Sequence, residues 1–169
     1  MRIITCLAAV VAPALLTTTL AFAQDQQAKL FLTEAIEGNL AEVQMGQLAQ
    51  KQATTLAVRS YGQMLEQDHT VANQKARAAA GELKIMPPTQ PNSKQKADYD
   101  RLSNVIGTAF DAQFAEHMVM DHKEDIQKYE KAAAMSNPAG TYAKEALPTL
   151  RKHEQTAESL KSATTGKAR

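Results

Sequence analysis

Four histidines, His69, His117, His122 and His153, are the side chains of this sequence best suited to chemistry, and carboxylates stand close to them. Glu66 and Asp68 precede His69, Asp121 precedes His122, and Glu154 follows His153. His69 follows Leu65 by four and Gly62 by seven, His122 follows Met118 by four and Ala115 by seven, and His153 follows Leu150 by three and Ala146 by seven. On a helix those spacings put each imidazole on the apolar face, so three helices aim a histidine at one interior. His117 sits three after Phe114 and four before Asp121 and can line the same interior. Imidazoles crowded together repel when protonated and leave donors unused when neutral. A metal ion removes both difficulties, and nitrogen and oxygen donors without thiolate suit iron, copper, manganese or zinc. The candidate ligands are His69, His122 and His153, with Glu66, Asp68, Asp121 and His117 beside them. Glu66-x-x-His69 has the i, i+3 spacing by which di-iron bundles aim two side chains at one metal.

The elements that must position these groups are helices, because period-2 alternation is absent and 3.6-residue periodicity runs throughout. A first helix is predicted from about Gln26 to Gln50, its stripe carried by Phe31, Ala35, Gly38, Met45 and Ala49. Glu42 lies within that apolar arc and is the carboxylate this helix can offer to the histidines, either as a ligand or as an interhelical ion-pair partner. Its level along the axis is offset from that of His69, which Glu37 matches better, although Glu37 faces less well. Ala53-Thr54-Thr55 breaks the chain with hydroxyl caps, and a second helix is predicted from Leu56 to about Lys84. Pro87, Pro88 and Pro91 then forbid helix and fix a long connection. Lys94 to Ala134 reads as helix interrupted near Gly107, and a last helix runs from about Pro138 to Leu160 with a kink expected at Pro148. Two short hairpins joined by one long crossover predict an all-α, ferritin-like four-helix bundle, with an up-and-down bundle as the alternative. Tyr61, Asp68-His69 and Gln74-Lys75 are echoed by Phe114, Asp121-His122 and Gln127-Lys128 at a constant offset of 53 residues.

Ahead of this bundle, Arg2, the apolar run from Ile3 to Leu20 and the small residues of Ala21-Phe22-Ala23 form a signal peptide over residues 1–23, with cleavage expected before Gln24. The bundle domain is then 24–162 and a flexible tail 163–169, and the mature protein is expected in the periplasm or outside the cell. The leader takes one of the 19 basic residues and none of the 18 acidic ones, which leaves the mature chain balanced in charge. With no long run of Lys and Arg, nucleic acid is excluded as a partner. The single cysteine, Cys6, lies in the leader, so the mature chain has no disulfide, thiolate site or cysteine nucleophile. Hydrolase motifs and glycine-rich phosphate loops are absent.

Gly38-Asn39-Leu40-Ala41-Glu42-Val43-Gln44-Met45-Gly46-Gln47-Leu48-Ala49, Met64-x-x-x-Asp68-His69, Phe110-Asp111 through Met118-x-x-Asp121-His122, and Leu147-Pro148-Thr149-Leu150-x-x-His153 together resemble the family catalogued as domain of unknown function 4142. The resemblance implies a ferritin-like bundle in an exported bacterial protein, with Glu42, Asp68, His69, Asp121, His122 and His153 at the family's recurring polar positions. It implies no particular reaction. Di-iron ferritins carry Glu-x-x-His on two helices, and here only Glu66-x-x-His69 fits. Two functional readings follow. One is a bundle that binds a transition metal, in envelope stress or metal handling. The other is a metal-free structural or interaction bundle with an envelope protein partner, its histidines forming a hydrogen-bond network or a pH switch. A copper-thioether site around Met118 and Met120 is a minor alternative.

Overall fold

A computed structural model describes residues 14–166, with side chains from Gln24 onward except Thr165; the predicted leader lies in part outside the described residues, and the backbone of 14–23 continues into the first helix. Five helices follow in order: α1 (Ala14–Gln52), α2 (Leu56–Glu82), α3 (Ser93–Ser103), α4 (Thr108–Ala132) and α5 (Pro138–Gly166). Among the described residues there is no strand, and no helix is long and apolar enough to cross a membrane.

Each boundary has a local cause. Thr55 caps α2, its hydroxyl accepting from the Val58 amide. The turn before it is pinned from α4: the buried Asp111 carboxylate accepts from the Thr54 amide at 2.9 Å, the Thr54 hydroxyl at 2.8 Å and the Thr55 amide at 2.9 Å. After the prolines, Asn92 and Gln95 form a reciprocal capping box that starts α3. The expected interruption separates α3 from α4 at Asn104–Gly107, where Gly107 takes φ +68°, a conformation that a side chain would strain. Pro148 lies inside α5, which extends past the expected end near Leu160 to Gly166.

Two apolar clusters give the topology. One joins Ala28–Ile36 of α1 to the end of α2, the end of α4 and the start of α5. The other joins Met45–Ala49 of α1 to the start of α2, the start of α4 and the end of α5. Helices α1 and α2 are therefore antiparallel, as are α4 and α5, and the segment from α2 through α3 to α4 travels the length of the bundle. This is the ferritin-like connection, and the up-and-down alternative does not hold. The hairpin α1–α2 closes tightly at Gly46 and Gly62, where a Cβ on Gly46 would stand 2.5 Å from the Gly62 carbonyl oxygen. Between the two apolar clusters lies a polar layer that contains the histidines.

Candidate metal centre

Three of the four histidines meet in that layer. His69 from α2, His122 from α4 and His153 from α5 are buried, at 3%, 1% and 0% exposure. Each offers one nitrogen to a common point, the three atoms lying within 4.8 Å of one another. Ring centroids are 5.8 Å apart for His69 and His122, 5.2 Å for His69 and His153, and 5.3 Å for His122 and His153.

The outer nitrogen of each ring is engaged by an acceptor, which assigns the protons. His122 Nδ1 stands 3.0 Å from the Met118 carbonyl, which can only accept, so Nδ1 carries the hydrogen. His153 Nε2 lies 2.9 Å from Asp68 Oδ2 and donates to it. His69 Nδ1 lies 2.9 Å from Asn39 Oδ1, while Asn39 Nδ2 donates to the Tyr142 hydroxyl at 2.9 Å. In neutral rings the inner nitrogens, His69 Nε2, His122 Nε2 and His153 Nδ1, are then bare. His122 Nε2 and His153 Nδ1 face each other at 3.4 Å, and His69 Nε2 is buried with no hydrogen-bond partner. Burial holds all three imidazoles below the usual histidine range, His122 down to about 4, with the neighbouring histidine next in effect for His69 and His122; in His153 the Asp68 carboxylate opposes the burial. At neutral pH the rings are uncharged and their lone pairs are available.

This set fits a transition metal ion. Tetrahedral zinc with nitrogens at ~2.0–2.1 Å needs them about 3.3 Å apart, which the His122–His153 pair at 3.4 Å meets, and the His69 nitrogen lies within 4.8 Å of both. Engagement of every outer ring nitrogen by a carboxylate, a carbonyl or an amide oxygen is the usual support for metal-bound imidazole.

The remaining sequence candidates divide. Asp68 stands behind His153 as its acceptor and is not among the converging nitrogens. Glu66, expected to pair with His69, turns instead to α1 and accepts from Gln47 at 2.8 Å and Gln50 at 2.6 Å, since the close α1–α2 contact brings those amides within its reach. Glu42 and Asp121 also stay outside the cluster. They lie close together: burial first and the neighbouring Asp121 next push the Glu42 carboxyl well up, and Glu42 Oε2 is buried with no hydrogen-bond partner, while in Asp121 burial is opposed by the nearby Glu42, His117, His122 and Lys94, which hold it down. His117 is buried beside this pair and does not join the three. Met118 is fully buried while Met120 is 57% exposed, so they share no site. Glu37 bonds Asn92 and does not reach His69.

Asn39 is the α1 residue that reaches the centre, and sequence reasoning passed over it. Asn39 and His69 are equidistant from Thr54, the middle of the turn between Gln52 and Leu56. The centre of the turn at Thr54 puts Asn39, rather than Glu37, level with His69. A lone amide four residues after Ala35 and seven after Leu32, inside the apolar stripe, was the available signal.

Fold and site together define a helical bundle with a histidine cluster buried at mid-length. The family model described as Domain of unknown function (DUF4142) matches residues 15–160, and the chain belongs to that family. Among solved structures, the chain is similar to one titled "Crystal structure of DUF305 fragment from Deinococcus radiodurans", with a TM-score of 0.72 and 14% identity over 81% of this chain and 96% of that one; the likeness concerns the fold. No curated protein matches the chain.

Proposed function

We propose that this chain is an exported metal-binding bundle that holds one transition metal ion through His69 Nε2, His122 Nε2 and His153 Nδ1. The observation that carries the reading is the buried convergence of three bare ring nitrogens, each with its outer nitrogen already bonded. Three neutral imidazoles suit zinc, copper, iron or manganese, and competition among these in the compartment decides which is held. Three protein ligands leave a fourth position free, as in catalytic rather than structural zinc sites. The leader read over residues 1–23 supports export to the periplasm or outside the cell, and a mature N-terminus at Gln24 in a periplasmic or secreted fraction is the expected result.

The test is metal content. His122→Ala and His153→Ala each abolish most binding, and the surface change Lys128→Ala does not. Equal metal content in all three variants would contradict the proposal and leave the histidines as the core of a metal-free structural or interaction bundle.

A further inference from the structure

Between α2 and α5 a cavity of about 150 Å³ reaches the histidine cluster, lined by His69 and His153, by Asn39, Tyr129 and Tyr142, and by Ala146 among its apolar residues. One ordered water needs only ~10–15 Å³ measured in this way, so a ligand of several atoms fits. Lys75 and Glu145 flank the rim and pair at 3.1 Å, both more than half exposed. Asp68 also lines the cavity, with an oxygen engaged by the His153 N–H.

A proton count on the far wall shows what such a ligand must offer. Asn39 Nδ2 donates to the Tyr142 hydroxyl at 2.9 Å, and the hydroxyls of Tyr142 and Tyr129 are 3.1 Å apart. Two hydroxyl protons are present, and one fills the bond between the rings. The other has no protein acceptor among the described residues, whichever tyrosine holds it. Burial raises both phenols above their ordinary range, so both remain donors. Two of the three candidate ligands, His69 and His153, line one wall of the cavity and a spare hydroxyl donor belongs to the tyrosine pair on another, which is the pattern that receives a small anion.

We propose that this cavity binds a two- or three-atom anion, of the class of azide or hydroperoxide, which takes the free position on the metal and accepts a hydrogen bond from the Tyr129–Tyr142 pair. The inference rests on the metal reading above.

The test uses the protein loaded with Co(II), its content measured first, and titrated with sodium azide while the visible ligand-field bands are followed. Saturable band shifts are expected. The double change Tyr129→Phe and Tyr142→Phe removes both hydroxyl protons and weakens azide binding by about tenfold or more, as loss of a hydrogen bond to a charged group does, with cobalt still bound. Ala146→Phe fills the cavity and abolishes the azide response without loss of cobalt, and circular dichroism verifies that both variants are folded. Bound cobalt whose spectrum ignores azide, or equal azide affinity in the tyrosine double variant, overturns the cavity site alone. A folded wild-type protein that takes up no cobalt overturns the metal reading and this one with it.

Discussion

Asp68→Asn removes the charge behind His153 and keeps the shape of the side chain. In the native protein Asp68 Oδ2 accepts the His153 Nε2 hydrogen at 2.9 Å, which fixes the ring and leaves Nδ1 bare toward His122. The Asp68 side chain is 38% exposed, so water can solvate what the substitution leaves, and the metal-free fold loses less than about 1 kcal/mol. Metal affinity responds differently. Partners that orient a ligating histidine are worth ~10–100-fold in affinity, or about 1.4–2.7 kcal/mol. Solvent access to Asp68 places the loss near the lower bound, about tenfold. Zinc competition against a chromophoric chelator measures the dissociation constants of both proteins, and thermal melts without metal measure the fold. Equal affinities would refute the assignment of Asp68 as the support for a ligand. A metal-free variant melting ~5 °C or more below the native protein would show that the contact is structural.

Other substitutions test the neighbouring contacts. Asn39→Ala strips the acceptor from His69 and the donor from Tyr142 at a buried position and destabilises the protein by about 1–3 kcal/mol in urea unfolding, whereas an unchanged midpoint would contradict the network. Gly46→Ala drives a Cβ to 2.5 Å from the Gly62 carbonyl and 2.8 Å from the Glu66 amide, both backbone, and costs about 1–3 kcal/mol or more, while Gly81→Ala, with open space around it, is neutral or mildly stabilising by calorimetry. Burial first, and Asp121 next, push the Asp125 carboxyl up to about 7 from 3.8. A raised carboxyl binds its proton more tightly in the fold, so its contribution falls as pH climbs from about 4 through 7. Asp125→Asn removes that cost and stabilises the protein at pH 8 by on the order of 1–2 kcal/mol, the Lys128 contact limiting the gain, with little change at pH 4; equal melting shifts at both pH values would contradict the sign.

Much of the fold was legible because its determinants are local. Thr55, Pro87, Pro88, Pro91 and Gly107 mark breaks through capping, a missing donor or a left-handed φ, effects that act within a few residues. The inward histidines were legible for a similar reason, since helical spacing from Leu65, Met118 and Leu150 fixes a face without knowledge of the neighbour. What was not legible depends on which helices touch. Glu66 matches a ligand motif, yet the Gly46–Gly62 contact gives it to Gln47 and Gln50. Asp68 and Asp121 occupy equivalent places in the internal echo but serve different helices, Asp68 holding His153 of α5 and Asp121 lying against Glu42 of α1. Asp111 looks like an ordinary acidic residue in the first turn of α4, and only the packing of α4 on the α1–α2 turn makes it the acceptor of three hydrogen bonds.

The most direct measurement is the metal content of untagged protein purified from a periplasmic fraction, paired with thermal melts before and after treatment with a chelator. Close to one transition metal ion per chain is expected, with a lower melting temperature once the ion is removed, because a ligand that binds only the folded state stabilises it by mass action. Protein that carries no metal, takes none up from iron, copper, manganese or zinc salts, and melts at one temperature with or without chelator would contradict the metal reading.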